Sequence, residues 1–265
     1  MVAPSTVPDR TLTVPGGSVR YRDTAGDGPP VVLMHAATHC ARAWGHQRDA
    51  LVAHGLRVIA WSRRGHRGSS SLSEDAPGVG AADIEALADG LGLDRFHLVA
   101  IAAGGFFATD FALSRPERLL SLTVAASMTG ISDPGFRRRV QALHPPGFGE
   151  LPHVFRELGP SYRTASPDGV RAWEALHEEA LGGRPFVLQR LWNEITYDRL
   201  AGLRVPALLL GAGADLIVPA PLTEAIAERS PGAVYELLAD SGHTPTWEVP
   251  DAFNAAVVRF VGAAG

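Results

Sequence analysis

The stretch FHLVAIAAGGFF, residues 96–107, leaves a chain few ways to fold. An apolar run rich in β-formers, 96–101, meets Ala102, Ala103, Gly104 and Gly105, and a helical pattern over 106–113 follows with no loop between. A strand can turn straight into a helix only where the corner residues are tiny, because the two backbones nearly touch there. The stretch therefore predicts strand, sharp corner and helix in immediate succession.

The same rhythm extends along the chain. Residues 11–14 and 19–22 read as a hairpin around Pro15, Gly16 and Gly17. Apolar runs at 30–34, 56–61, 119–125, 205–210 and 233–238 read as buried strands, and helical patterns lie at 41–54, 81–91, 105–114, 221–228 and 250–261. Strands alternating with helices predict an α/β fold: a mostly parallel, eight-stranded sheet with helices on both faces. Between 127 and 199 the rhythm changes to helical pieces at 136–143, 151–158, 170–181 and 185–195, with no clear strand. The expected organisation is a core from 1–126 and 200–265, with 127–199 a helical cap over the sheet's carboxyl edge, where such sheets bind ligands.

A net charge of −4 gives no electrostatic case for nucleic acid, and the run Arg137-Arg138-Arg139 reads as a solvated helix face. No run approaches the ~18 apolar residues of a membrane helix, and MVAPSTVPDR lacks the apolar centre of a signal peptide. The single cysteine, Cys40, allows no internal disulfide and suits a reducing compartment. The expectation is a cytoplasmic protein with a small-molecule substrate, no nucleic-acid or membrane partner, and at most a second copy of itself as a homodimer.

Two loops carry chemistry-bearing side chains. Gly211-Ala212-Gly213-Ala214-Asp215 follows an apolar strand; as a dinucleotide fingerprint it lacks the third glycine, since Leu stands at 216. Ser241-Gly242-His243 follows the last strand, 28 residues after Asp215, which leaves room for one helix and one strand. His35 and His39 are four apart on a strand end and loop with no carboxylate near, so no metal site and no cofactor are expected.

The strand–corner–helix stretch, the Asp loop and the His loop together resemble the α/β-hydrolase family from residue 11 to 261. The corner resembles that family's nucleophile elbow, small-x-nucleophile-x-Gly, with Ala100 and Gly104 flanking and Ala102 at the attacking position. The resemblance implies Asp215 as the acid and His243 as the base of a triad, with Asp133 a poorer substitute acid. It also implies the backbone N–H groups of Ala37 and Ala103 as an oxyanion hole. The family commonly has His-Gly where this chain has His35-Ala36, and His35 is expected to tie that loop down. His39, Cys40 and His66 could touch substrate, and Phe106, Trp192 and Trp247 could line an apolar pocket. Elbows of halide- and epoxide-type enzymes resemble this one but carry Asp, so those reactions are disfavoured.

Alanine has no atom that can attack. Three readings account for Ala102: an engineered Ser→Ala form of a hydrolase for a small, largely apolar ester or lactone; a natural protein that uses His243 and Asp215 for acid/base chemistry without a covalent intermediate, as in C–C cleavage, elimination, cyclisation or cofactor-free oxygenation; or a ligand-binding receptor. The first is the preferred expectation.

Overall fold

The computed structural model describes residues 7–264, and all eight expected strands are present in it. The hairpin of β1 (Arg10–Val14) and β2 (Gly17–Asp23) is followed by β3 (Pro30–Met34), α1 (Gly45–Ala53), β4 (Arg57–Ser62), α2 (Gly80–Gly90), β5 (Phe96–Ile101), α3 (Gly104–Ser114) and β6 (Leu119–Ala125). Five helices come next: α4 (Pro134–Leu143), α5 (His153–Glu157), α6 (Pro160–Ala165), α7 (Pro167–Leu181) and α8 (Tyr197–Leu200). The alternation then resumes with β7 (Ala207–Ala212), α9 (Ala220–Ala227), β8 (Val234–Leu238), α10 (Pro245–Glu248) and α11 (Pro250–Ala263). No helix among the described residues is long and apolar enough to cross a membrane.

The strands form one sheet in the order β1-β2-β4-β3-β5-β6-β7-β8. The two pairings made by β2 are antiparallel and all others parallel. Because successive side chains point to opposite faces, each central strand feeds two cores. Phe96, Leu98 and Ala100 of β5 join Phe107 and Phe111 of α3 and Ile84 and Leu87 of α2 on one face. Val99 and Ile101 join Leu51 of α1 and Phe253 and Val257 of α11 on the other. Both faces are covered, which explains why these strands read as unbroken apolar runs.

The corner after β5 shows why small residues are required. A Cβ on Gly104 would stand 2.6 Å from the Met34 carbonyl oxygen and 2.7 Å from that of His35, on the neighbouring strand and its loop. Ala102 itself has φ +51°, a left-handed conformation that costs a non-glycine residue roughly 1–2 kcal/mol. Its N–H donates to the Ala125 carbonyl (3.0 Å), and its carbonyl accepts from Ser127 Oγ (2.6 Å), so the strained turn is held from both sides.

The segment 185–195 departs from the helix read in the sequence: it forms no helix, and its backbone groups pair with the core instead. Arg190 exchanges hydrogen bonds with Gly78 and Gly80, and Ile195 accepts from Ser132. Asp110 of α3 accepts from the Trp192 amide (2.6 Å), the Asn193 amide (3.1 Å) and Asn193 Nδ2 (2.7 Å). Gln189 Nε2 donates to Asp83 of α2 (2.7 Å), which is also ion-paired with Arg64. Apolar residues at helical spacing were a fair signal, but two buried carboxylates outcompete the local i→i−4 bonds. Replacing Asp110 by alanine leaves three donors without their acceptor. It is expected to cost about 3 kcal/mol, lowering Tm by about 6–12 °C in a thermal melt.

Candidate active site

Asp215 and His243 leave the sheet at neighbouring places, after β7 and β8, and the loops bring their side chains into contact: His243 Nδ1 lies 2.8 Å from Asp215 Oδ2. The other carboxylate oxygen of Asp215 accepts from the amides of Ile217 (2.8 Å) and Val218 (2.9 Å), which fixes its orientation. With Nδ1–H donating to the carboxylate, Nε2 of His243 carries the lone pair and has no partner among the described residues. Burial works against a charge on this ring, yet the charge and hydrogen bond of Asp215, with Glu157 and Glu248 behind, raise its pKa above the ordinary histidine value.

His243 lines a cavity of about 220 Å³ together with Ala37, Ala102, Ala103, Phe106 and Met128, among others. The Ala102 methyl stands at its floor. The amides of Ala37 and Ala103 have no hydrogen-bond partner among the described residues, so both remain available to a ligand oxygen. The Ala37 loop is held by histidines. His35 Nδ1 donates to the Ala36 carbonyl (2.6 Å) while its Nε2 accepts from the Arg63 amide (2.9 Å), and His66 Nε2 donates to the Ala37 carbonyl (2.9 Å). Burial keeps both rings neutral, with His35 far below its ordinary pKa and His66 pushed down to about 3.

The other expected pocket residues disperse. Phe106 lines the cavity. His39 lies behind the Ala36 loop, buried, with Nδ1 3.2 Å from Thr38 Oγ1 and its pKa pushed down to about 4 by burial. Trp247 lines the same small space as His39, its Nε1 donating to the Gly169 carbonyl (3.2 Å). Trp192 stacks on Phe111 beneath Arg115, at the far end of α3 from the corner. Cys40 borders a separate polar recess with Arg20, Arg42 and Arg67. Asp133 caps α4, accepting from the Phe136 amide (3.0 Å).

Three ionisable residues of the cavity carry no site signal in the sequence: His153, Arg156 and Glu157 of α5. Glu157 is buried; its Oε2 accepts from Thr38 Oγ1 (2.9 Å) and its Oε1 lies 3.2 Å from His153 Nδ1. The Glu157 carbonyl accepts from the His243 amide (2.8 Å). Glu248 fastens the same junction: its carboxylate accepts from the amides of Gly159 (2.7 Å), Gly242 (3.0 Å) and Thr244 (3.1 Å). A Glu three residues after an apolar position in a helical run gives no sign of such a role, which only the packing of α5 against the His243 loop creates.

Fold and site together define a hydrolase-type frame on a parallel sheet. The alpha/beta hydrolase family model matches residues 31–256, and the chain belongs to that family. A Caulobacter sp. (strain K31) protein, RutD, named as a proposed carbamate hydrolase, is 30% identical over 250 residues, covering 89% of this chain and 92% of its own. Among solved structures, a thermophilic esterase from Thermogutta terrifontis superposes with a TM-score of 0.78 at 24% identity, over 97% of this chain and 99% of its own. The enol-lactonase from Burkholderia xenovorans LB400 does so with a TM-score of 0.75 at 23% identity, over 96% and 100%.

Two measurements check this geometry. In an NMR titration the His243 ring should have its midpoint above 6.5, and Asp215→Asn should move it downward. Because the folded value is raised, the stability this contact contributes is fully present below pH ~6.5 and is lost as pH rises through the folded midpoint. Replacing Ala102 by glycine should relieve its left-handed strain and stabilise the chain by about 0.5–1 kcal/mol in denaturant unfolding.

Proposed function

We propose that the chain is the frame of a hydrolase for small, largely apolar carboxylic esters or lactones, in which Ala102 stands where the attacking serine of a Ser-His-Asp triad belongs. The observation that carries this reading is the corner itself: Ala102 keeps φ +51° at the cavity floor, beside a His243–Asp215 pair and two unpartnered amides. Strain of that kind persists only where the surroundings impose it, and it serves to present a side chain at position 102 to a ligand.

With serine at 102, His243 Nε2 would take the hydroxyl proton and return it to the leaving group, while Asp215 holds the tautomer and stabilises the imidazolium. The amides of Ala37 and Ala103 would receive the charge that develops on the carbonyl oxygen. As the chain stands, the covalent step has no nucleophile, and only the ~10³–10⁴-fold residue of catalysis due to binding and oxyanion stabilisation remains available. The cavity of about 220 Å³ lies below the usual range for drug-sized ligands, which favours a small substrate. A carbamate, the compound class in the name of RutD, presents a similar carbonyl and belongs in the same panel. In this reading the helices between β6 and β7 act as the cap, with α5 closing the cavity.

A second reading rests on Glu157. A buried carboxylate at the cavity wall is no part of a serine triad, and with His243 it would give a proton-transfer site that needs no nucleophile. The deciding experiment is Ala102→Ser against aryl esters, lactones and carbamates. A gain of about 10³-fold or more, abolished by His243→Ala in the same background, is the expected outcome. An unchanged rate would overturn the ester reading in favour of the second.

A further inference from the structure

The spacing of His35 and His39 suggested no metal site, and the fold assembles a different donor set. His153 and Glu157 stand one turn apart on α5, and His177 comes from α7. A ring nitrogen of each histidine and a carboxylate oxygen of Glu157 all lie within 4.8 Å of one another. We propose that His153, Glu157 and His177 bind a divalent transition-metal ion, with Zn²⁺ the ion this ligand set suits.

The donor chemistry is two imidazoles and one carboxylate, a set that zinc accepts with a fourth position left open. Around a tetrahedral Zn²⁺ at ~2.0–2.2 Å from each ligand, the ligand atoms would be roughly 3.4 Å apart. His153 Nδ1 and Glu157 Oε1 already meet that spacing at 3.2 Å. The two imidazole rings have their centroids 4.3 Å apart, so a small movement of the exposed His153 ring closes the set.

The surroundings are those of a prepared ligand set. Thr38 Oγ1 holds the free oxygen of Glu157 at 2.9 Å, the kind of outer hydrogen bond that orients a ligating carboxylate. The His177 ring stacks on Trp173 with centroids 5.3 Å apart, and its Nδ1 is buried with no hydrogen-bond partner. The His39 ring packs on the same Trp173, with centroids 5.4 Å apart, and its Nε2 is buried and unpartnered.

One cation is already in place. Arg156 Nη2 lies 3.0 Å from His153 Nδ1 and 3.4 Å from Nε2. That contact must break when His153 turns its lone pair to the ion, which makes Arg156 a competitor rather than a ligand. Since His153 and Glu157 both line the Ala102 cavity, an ion held here would sit at its wall. The inference does not depend on the ester reading; it would stand if the chain were a receptor.

The test is equilibrium dialysis of tag-free protein against Zn²⁺, with bound metal measured per chain. One saturable Zn²⁺ per chain is expected. His153→Ala and His177→Ala should each weaken it by at least about 10-fold, a loss that even outer partners of a metal produce. His54→Ala, an exposed histidine on the turn after α1, should leave it unchanged. Arg156→Gln removes no ligand and should tighten binding, so it decides the question if an alanine variant loses its fold by circular dichroism. Absence of saturable uptake would overturn the proposal. So would uptake that the His153→Ala/His177→Ala pair leaves intact, or an Arg156→Gln variant that binds no more tightly.

Discussion

At the end of β5 the carbonyl oxygens of Met34 and His35 fill the space that any side chain at position 104 would need. That close approach lets the strand end and the helix begin with no intervening loop, and it sets where the carboxyl ends of β3 and β5 lie relative to each other. Everything at the site hangs from this contact. It brings Ala37 and Ala103, both with unpartnered amides, to the cavity that His243 lines, with Ala102 between strand and helix in its left-handed turn.

Around that corner the chain is tied together by buried carboxylates rather than by apolar contact alone. Asp110 and Asp83 hold 189–193 against α3 and α2, Asp215 orients His243, and Glu248 joins the His243 loop to Gly159. Each accepts two or more hydrogen bonds, which offsets the cost of taking a charge out of water. Such groups are costly to remove singly because their donors would stay behind unsatisfied. They fix the 189–193 segment and the junction between α5 and α6, both of which lack regular backbone pairing of their own.

Much of the sheet could be read from the chain because its signals are local. Unbroken apolar runs mark strands covered on both faces, and the FHLVAIAAGGFF stretch dictates its own corner. The meeting of Asp215 and His243 was also legible, since each stands in the loop that follows a strand. What could not be read depends on distant partners. The helical pattern at 185–195 is overruled by Asp110, some 80 positions earlier. Trp192 and Trp247, apolar and therefore natural candidates for a pocket wall, are claimed by Arg115 and the Gly169 carbonyl. Glu157 carried no signal at all, because its position at the cavity arises only when α5 meets the Thr38 and His243 loops.

The junction made by Glu248 has a consequence for how such a site can change over time. The helices inserted between β6 and β7 include α5, whose His153, Arg156 and Glu157 form part of the cavity wall. Here one end of that insertion, at Glu157 and Gly159, also supports the backbone of His243. A change that reshaped α5 to admit a different molecule would therefore disturb His243 in the same step. The cavity wall and the His243 loop thus cannot be changed independently of each other.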